Sequence, residues 1–199
     1  MSGVSSHYKW IAFSTLVRKE IRRFMRLWIQ TLVPPVITIS LYFLIFGTLI
    51  GSRIGEMGGY SYMDFIVPGL ILMSVINNAY ANVVSSFFSQ KFQRNIEELL
   101  VSPVPNYIIL FGFVIGGSTR GLIVGLVAGI VAMSFSGFYM HNFFIAITVV
   151  LLSSVVFALG GLINAIYANK FDDVTIIPTF VLTPLIYLGG VFYSTDLLP

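Results

Sequence analysis

The sequence has no cysteine and only two histidines, His7 and His141, which lie in different segments. Disulfides, zinc–thiolate sites and thiol nucleophiles are therefore excluded, and no HExxH pair is present to hold a metal. Charge is scarce as well. Only 10% of residues are charged and 57% are hydrophobic, whereas a water-soluble domain carries about 25% charged residues. The hydrophobic runs span no pair of acids of the kind a proton-coupled carrier uses, and no Lys follows a Gly in a GxxxxGK[ST] loop, so the chain has no phosphate cradle of its own. A G-x-S-x-G nucleophile elbow is also missing. The expectation is a protein that is not an enzyme and has no cofactor of its own.

What is present is apolar. A mean hydropathy of +0.92 and five long hydrophobic stretches, at about 29–51, 63–88, 107–135, 143–166 and 174–193, predict a polytopic all-α bundle in a membrane. The formal charge of +3 does not indicate nucleic acid, because the basic residues flank the spans. Lys9, Arg18, Lys19, Arg22, Arg23 and Arg26 precede the first; Lys91, Arg94 and Arg120 fall between 89 and 120; Lys170 follows the fourth. Only Arg53 lies on the other side, so the positive-inside rule places the N-terminus, the loop at 89–106 and the Lys170 link in the cytoplasm. No small-residue cleavage site follows the basic segment, so removal as a signal peptide is not expected.

Residues 1–28 read as an amphipathic helix. Trp10, Phe13, Val17, Ile21, Phe24 and Trp28 recur at helical spacing, and Arg18, Arg22 and Arg26 form a stripe suited to anionic headgroups. An interfacial elbow helix is the preferred reading; a simple orienting charge cluster is the alternative. In the loop at 89–106, Phe88, Phe92, Ile96 and Leu99 or Leu100 share one face of a short helix, which Pro103 and Pro105 terminate. Glu97 and Glu98 suit a soluble partner there, and equally a solvated loop.

Inside the spans, Ser74, Asn78, Asn82, Ser85 or Ser86, and Ser89 form a polar stripe, with helix packing preferred over a translocation path. Gly112, Gly116, Gly117, Gly121, Gly125 and Gly129 predict close helix approach in the third span. Arg120 is costly at mid-bilayer. Either 106–119 is partly a surface or half-helix with Arg120 near the inner mouth, which is preferred, or Arg120 faces an aqueous cavity.

The basic N-terminal helix, the span near Pro34-Pro35, the cytoplasmic Ile96-Glu97-Glu98-Leu99-Leu100-Val101-Ser102-Pro103-Val104-Pro105 and the closing Leu188-Gly189-Gly190-Val191-Phe192-Tyr193-Ser194-Thr195-Asp196-Leu197-Leu198-Pro199 together resemble the ABC-2 type transporter permeases over the whole chain. That resemblance implies the permease subunit of an ATP-binding cassette exporter, in the bacterial inner membrane, with amphipathic or glycan substrates. Its partners would be a second permease copy and a cytoplasmic ATPase dimer that holds the ATP and Mg²⁺. It also implies that residues 90–101 are the helix docking on that ATPase, through Arg94, Glu97, Glu98 and Leu99. Gly189, Gly190, Phe192, Leu198 and Pro199 would open an outer re-entrant hairpin. Residues 29–199 would form the transmembrane domain, incomplete at its C-terminus, since such permeases continue into a sixth span. The alternatives are a self-sufficient secondary transporter or channel, and a membrane assembly protein without a transport role.

Overall fold

The computed structural model describes residues 6–136 and 142–194. Helix α1 (Ser6–Arg26) is separated from α2 (Trp28–Tyr42) by Leu27 alone, and α2 continues through a π-helical stretch, Phe43–Ile50, into α3 (Gly51–Ile54). A two-stranded hairpin follows, β1 (Glu56–Met57) against β2 (Tyr60–Ser61). Its turn residues Gly58 and Gly59 have φ of 61° and 82°, a double left-handed conformation that only a residue without Cβ adopts easily. Then come α4 (Tyr62–Phe92), α5 (Asn95–Val101), α6 (Asn106–Phe135) and α7 (Phe143–Tyr167). The last span is assembled from α8 (Phe171–Ile177), a π-helical turn and α9 (Thr183–Leu188).

Among the described residues five helical segments are long and apolar enough to cross a membrane: Trp28–Ile54, Tyr62–Phe92, Asn106–Phe135, Phe143–Tyr167 and Phe171–Leu188. Four coincide with hydrophobic stretches of the sequence to within a few residues; the fifth, expected at 174–193, starts at Phe171 and ends at Leu188, where Gly189 and Gly190 turn the chain, and the bundle is all-α apart from the hairpin. The sequence reading of 106–119 as a surface or half-helix is corrected, because α6 runs without a break from Asn106 to Phe135. Its amides and carbonyls are satisfied internally throughout, which is what a continuous span in hydrocarbon requires.

Helix α4 is the centre of the bundle. Val75, Ala79 and Val83 on one of its faces meet α6, and Tyr80 and Val84 meet α7. The close approach depends on glycine. A Cβ on Gly121 would lie 2.9 Å from that of Ala79, and Gly117 and Gly125 face Val83 and Val75. Gly112 and Gly116 have a different neighbour: they accommodate Leu16 and Glu20 of α1. The glycine ridge thus serves two faces, and α1 advances one turn as α6 advances one turn. Three apolar clusters fill the interior, the smallest of them Phe88, Ala165 and Ala168 between α4 and the end of α7. Of the larger two, one surrounds Phe43, Tyr62, Ile66 and Leu70 toward the hairpin; the other joins Val83, Ile96, Ile109, Phe113 and Leu162 toward the basic end.

The basic end is tied together by capping interactions. Lys91 Nζ donates to the carbonyls of Ile166 and Ala168, 2.6 Å each, at the C-terminus of α7, where carbonyls lack amide partners and favour a cation. Asp173 Oδ2 accepts from the amides of Asn169 and Lys170, opening α8.

Adjacent glycines in α7 provide a matched test of this packing. A Cβ at Gly161 would lie 2.6 Å from the Tyr80 carbonyl oxygen, whereas one at Gly160 would only touch the Tyr80 ring at 3.8 Å. Gly161→Ala is expected to destabilise the protein by about 1–3 kcal/mol through overpacking against backbone. Gly160→Ala is expected to be neutral, or stabilising by up to about 1 kcal/mol from helix propensity. Thermal unfolding of the two variants in one detergent compares them directly.

Candidate functional site

The sequence stripe on α4 separates into three environments. Asn82 is fully buried and binds α1: Arg23 Nη2 donates to Asn82 Oδ1 at 2.8 Å and to its carbonyl at 3.0 Å. Ser85, three residues on, is exposed, and its hydroxyl donates to the Asn82 carbonyl. Asn78 lines a cleft between α2, α4 and α6. Of the residues assigned to a path or to dimer packing, Asn78 lines this cleft and Asn82 and Ser85 do not. Asn82 neither lines that cavity nor faces outward, because Arg23 occupies both of its oxygens.

At the centre of the α1–α4 contact is Glu20, which the sequence reading did not single out. It is 0% exposed. Its Oε2 accepts from Ser86 Oγ at 2.6 Å and from Arg23 Nε at 3.3 Å, and Gln90 Nε2 approaches its Oε1 at 3.5 Å. Lys19 Nζ donates to Gln90 Oε1 at 2.8 Å. A buried carboxylate must be paired and hydrogen-bonded, and these groups meet that requirement from two helices. The sequence does carry a signal for it. Glu20 stands four residues after Leu16 and four before Phe24, and Leu16, Glu20 and Phe24 are the buried residues of α1. The aromatic periodicity pointed to a neighbouring face, whose end residues Trp10 and Trp28 are exposed. Arg18, Arg22 and Arg26 are exposed too, together on one side.

The second candidate region is α5. The expected helix over 90–101 is broken: α4 runs to Phe92, and Arg94 turns the chain with a left-handed φ of 62° before α5 begins at Asn95. Arg94 therefore forms the corner instead of a helical face. Phe92 departs from the shared apolar face and packs on Phe171, ring centroids 4.8 Å apart. Ile96 is buried among Val83, Ile109, Phe113 and Leu162, and Leu99 packs against the same cluster. Glu97 and Glu98 are exposed. Beside them the sequence reading missed Leu100 and Val101, 55% and 87% exposed, which complete an acidic and apolar knob. Helix α5 ends at Val101, just before Pro103, and α6 starts directly after Pro105, as their missing amides dictate.

The third region is the cleft, about 330 Å³, with Arg120, Asn78, Asn77, Gln30 and Thr38 among its lining. Arg120 Nη2 donates to Asn78 Oδ1 at 3.1 Å. The cavity alternative for Arg120 is the one that α6 adopts. Pro34 and Pro35 inside α2 leave the carbonyls of Gln30 and Thr31 without their usual amide partners, and both residues border this cleft.

At the opposite end, Gly189 closes α9 and Gly190 has a φ of 83°. Val191 packs on Gly69, Tyr62 Oη donates to the Phe192 carbonyl, and the Phe192 ring contacts those of Tyr42, Phe46 and Tyr187. Leu198 and Pro199 lie outside the described residues.

A helical bundle with five segments long and apolar enough to cross a membrane defines a polytopic membrane protein. Residues 11–199 match the family described as ABC-2 type transporter, and the chain belongs to that family. It is 62% identical over 194 residues to the inner membrane transport permease YadH of Escherichia coli strain K12, a match covering 97% of this chain and 75% of the relative. It is 26% identical over 154 residues to nodulation protein J of Rhizobium leguminosarum bv. trifolii, covering 77% of this chain and 59% of that one. Nodulation protein J of Rhizobium meliloti strain 1021 is 24% identical over the same shares. No solved structure matches.

Removing the Glu20 carboxylate leaves Arg23 without its ion pair and Ser86 without its acceptor. Glu20→Ala is expected to cost about 1–3 kcal/mol, the usual penalty for orphaning buried partners, and Glu20→Gln less, because an amide oxygen still accepts from Ser86. Melting temperatures of the purified variants check this order.

Proposed function

We propose that the chain is the permease subunit of an ATP-binding cassette exporter in the bacterial inner membrane, with its N-terminus and α5 on the cytoplasmic side. Two copies of the permease form the path, and a separate ATPase dimer, which holds ATP and Mg²⁺, docks on α5. Membership of the ABC-2 type transporter family supports a transport role, and the inner membrane permease at 62% identity supports the location. Basic residues gathered at the α1, α5 and α8 end support the orientation.

The observation that carries the ATPase contact is the seating of α5. Ile96 and Leu99 anchor it in the bundle core while Glu97, Glu98, Leu100 and Val101 point away from it. A knob rigidly rooted on α4 transmits a push to the spans, which a solvated loop does not. Closure of the ATPase around nucleotide then favours one state of the permease over the other, because the two states present α5 differently. Arg94 sets the angle of the knob and Leu99 belongs to its seat; the acids make the contact.

The test is gentle purification of the tagged protein from its own membrane, followed by identification of stoichiometric soluble subunits. An ATP-binding subunit is expected to copurify. The double variant Glu97→Lys/Glu98→Lys is expected to lose it by roughly 10-fold or more, since truncating or reversing a charged interface pair costs about 2–5 kcal/mol, with membrane insertion unchanged. Copurification at wild-type levels by the double variant would remove α5 from the interface.

A further inference from the structure

Arg120 lies halfway along a continuous membrane-spanning helix, and among the described residues it forms no ion pair. One of its N–H groups bonds Asn78 Oδ1, and its buried Nε–H has no acceptor. A guanidinium carries five donors and stays ionised. Among the described residues the ion pair that forms, Arg23 with Glu20, leaves Arg120 out. The Arg23–Glu20 pair is neutral as a unit, so the charge of Arg120 is left over, and the neutral carboxamide of Asn78 does not cancel it. An uncompensated cation in a membrane bundle calls for a counter-ion from outside the protein.

The shape of the cleft indicates what kind. Along α2 its lining runs from Gln30 to Tyr42, and along α4 from Ala81 to Leu70. Twelve residues of helix at 1.5 Å each make it about 18 Å long. Gln30, Asn77, Asn78 and Arg120 occupy the end near α1; toward the hairpin the lining is mixed, Ile39, Leu70 and Met73 alternating with Thr38, Tyr42 and Ser74, and it carries no charge there. A free inorganic anion would use the first part only. A molecule with an anionic head and an apolar tail matches both.

We propose that the Arg120 cleft binds the anionic, phosphate-type headgroup of an amphiphile, with Arg120 donating to the head and the apolar part lodged between α2 and α4. As a substrate subsite this rests on the proposed transport role; as a binding site it does not need the ATPase.

The test is native mass spectrometry of the full chain in neutral detergent, titrated with lysophosphatidic acid, lysophosphatidylcholine or inorganic phosphate. One equivalent of lysophosphatidic acid is expected to bind, ahead of the zwitterionic lipid. Arg120→Gln is expected to weaken it about tenfold or more, as for loss of a charged hydrogen bond, and Arg120→Lys to retain most of it. The triple variant Arg18→Gln/Arg22→Gln/Arg26→Gln is the control for surface attraction and should bind as wild type. Asn78→Asp places a counter-ion where Asn78 Oδ1 already meets the guanidinium, so it should raise the melting temperature and abolish binding, which keeps the test decisive if Arg120→Gln fails to fold. Wild-type binding by Arg120→Gln or Asn78→Asp would overturn the site, and so would loss of binding in the surface triple variant alone. Displacement of the lipid by equimolar inorganic phosphate would overturn the amphiphile and leave a soluble anion. Because the permease is measured alone, a missing ATPase leaves this result standing, and failure to bind lipid leaves the ATPase result standing.

Discussion

A carboxylate with no access to solvent inside an apolar bundle has to be given donors, and Glu20 is given them by Arg23, Ser86 and Gln90. The rest of the basic end depends on this contact. Such a pair adds little net stability, because desolvation offsets much of the attraction, but a shifted register would leave a charge orphaned. Its physical effect is to hold α1 at one position along α4. Once α1 is there, Leu16 and Glu20 press against α6, and only glycine at 112 and 116 leaves room for them. The charge and the glycines therefore work as one device.

Helix α4 converts that local constraint into a connected structure. It carries Asn82 and Ser86 toward α1, Ala79 and Val83 toward α6, Tyr80 and Val84 toward α7, and Lys91 to the carbonyls ending α7. Helix α5 is rooted in the same packing through Ile96. A displacement of α5 under the proposed action of an ATPase would thus reach α4 directly, and through α4 both α1 and the wall of the Arg120 cleft. Close packing makes such elements move as units and not deform locally.

Much of the architecture was legible in the residues because it follows from local rules. Span positions follow from uninterrupted apolar length, and the end of α5 and the start of α6 from Pro103 and Pro105. The features that were not legible depend on partners distant in sequence. Nothing local distinguishes Glu20 from a solvated acid until Ser86 and Gln90 arrive beside it. Asn78, Asn82 and Ser85 have similar chemistry and spacing, and a few tens of degrees around the α4 axis sends them to a cleft, an arginine of α1 and the exterior. The helical break at Arg94 was hidden because Phe88, Phe92 and Ile96 have unbroken helical spacing, whereas Phe171 draws Phe92 one way and the core draws Ile96 the other.

The sequence by itself determined that this protein crosses a membrane in helices, where those helices lie and which ends carry the positive charge, since transfer of apolar length and of cations between water and lipid is a property of each segment alone. Tertiary structure decided which face of each helix is used. It made one glycine ridge serve two neighbours, turned a basic amphipathic helix into a packed strut, and set Arg120 facing a cleft, paired with no acid among the described residues. Those outcomes depend on which side chains of different helices come within hydrogen-bonding or van der Waals distance, and no segment contains that information until the others are in place.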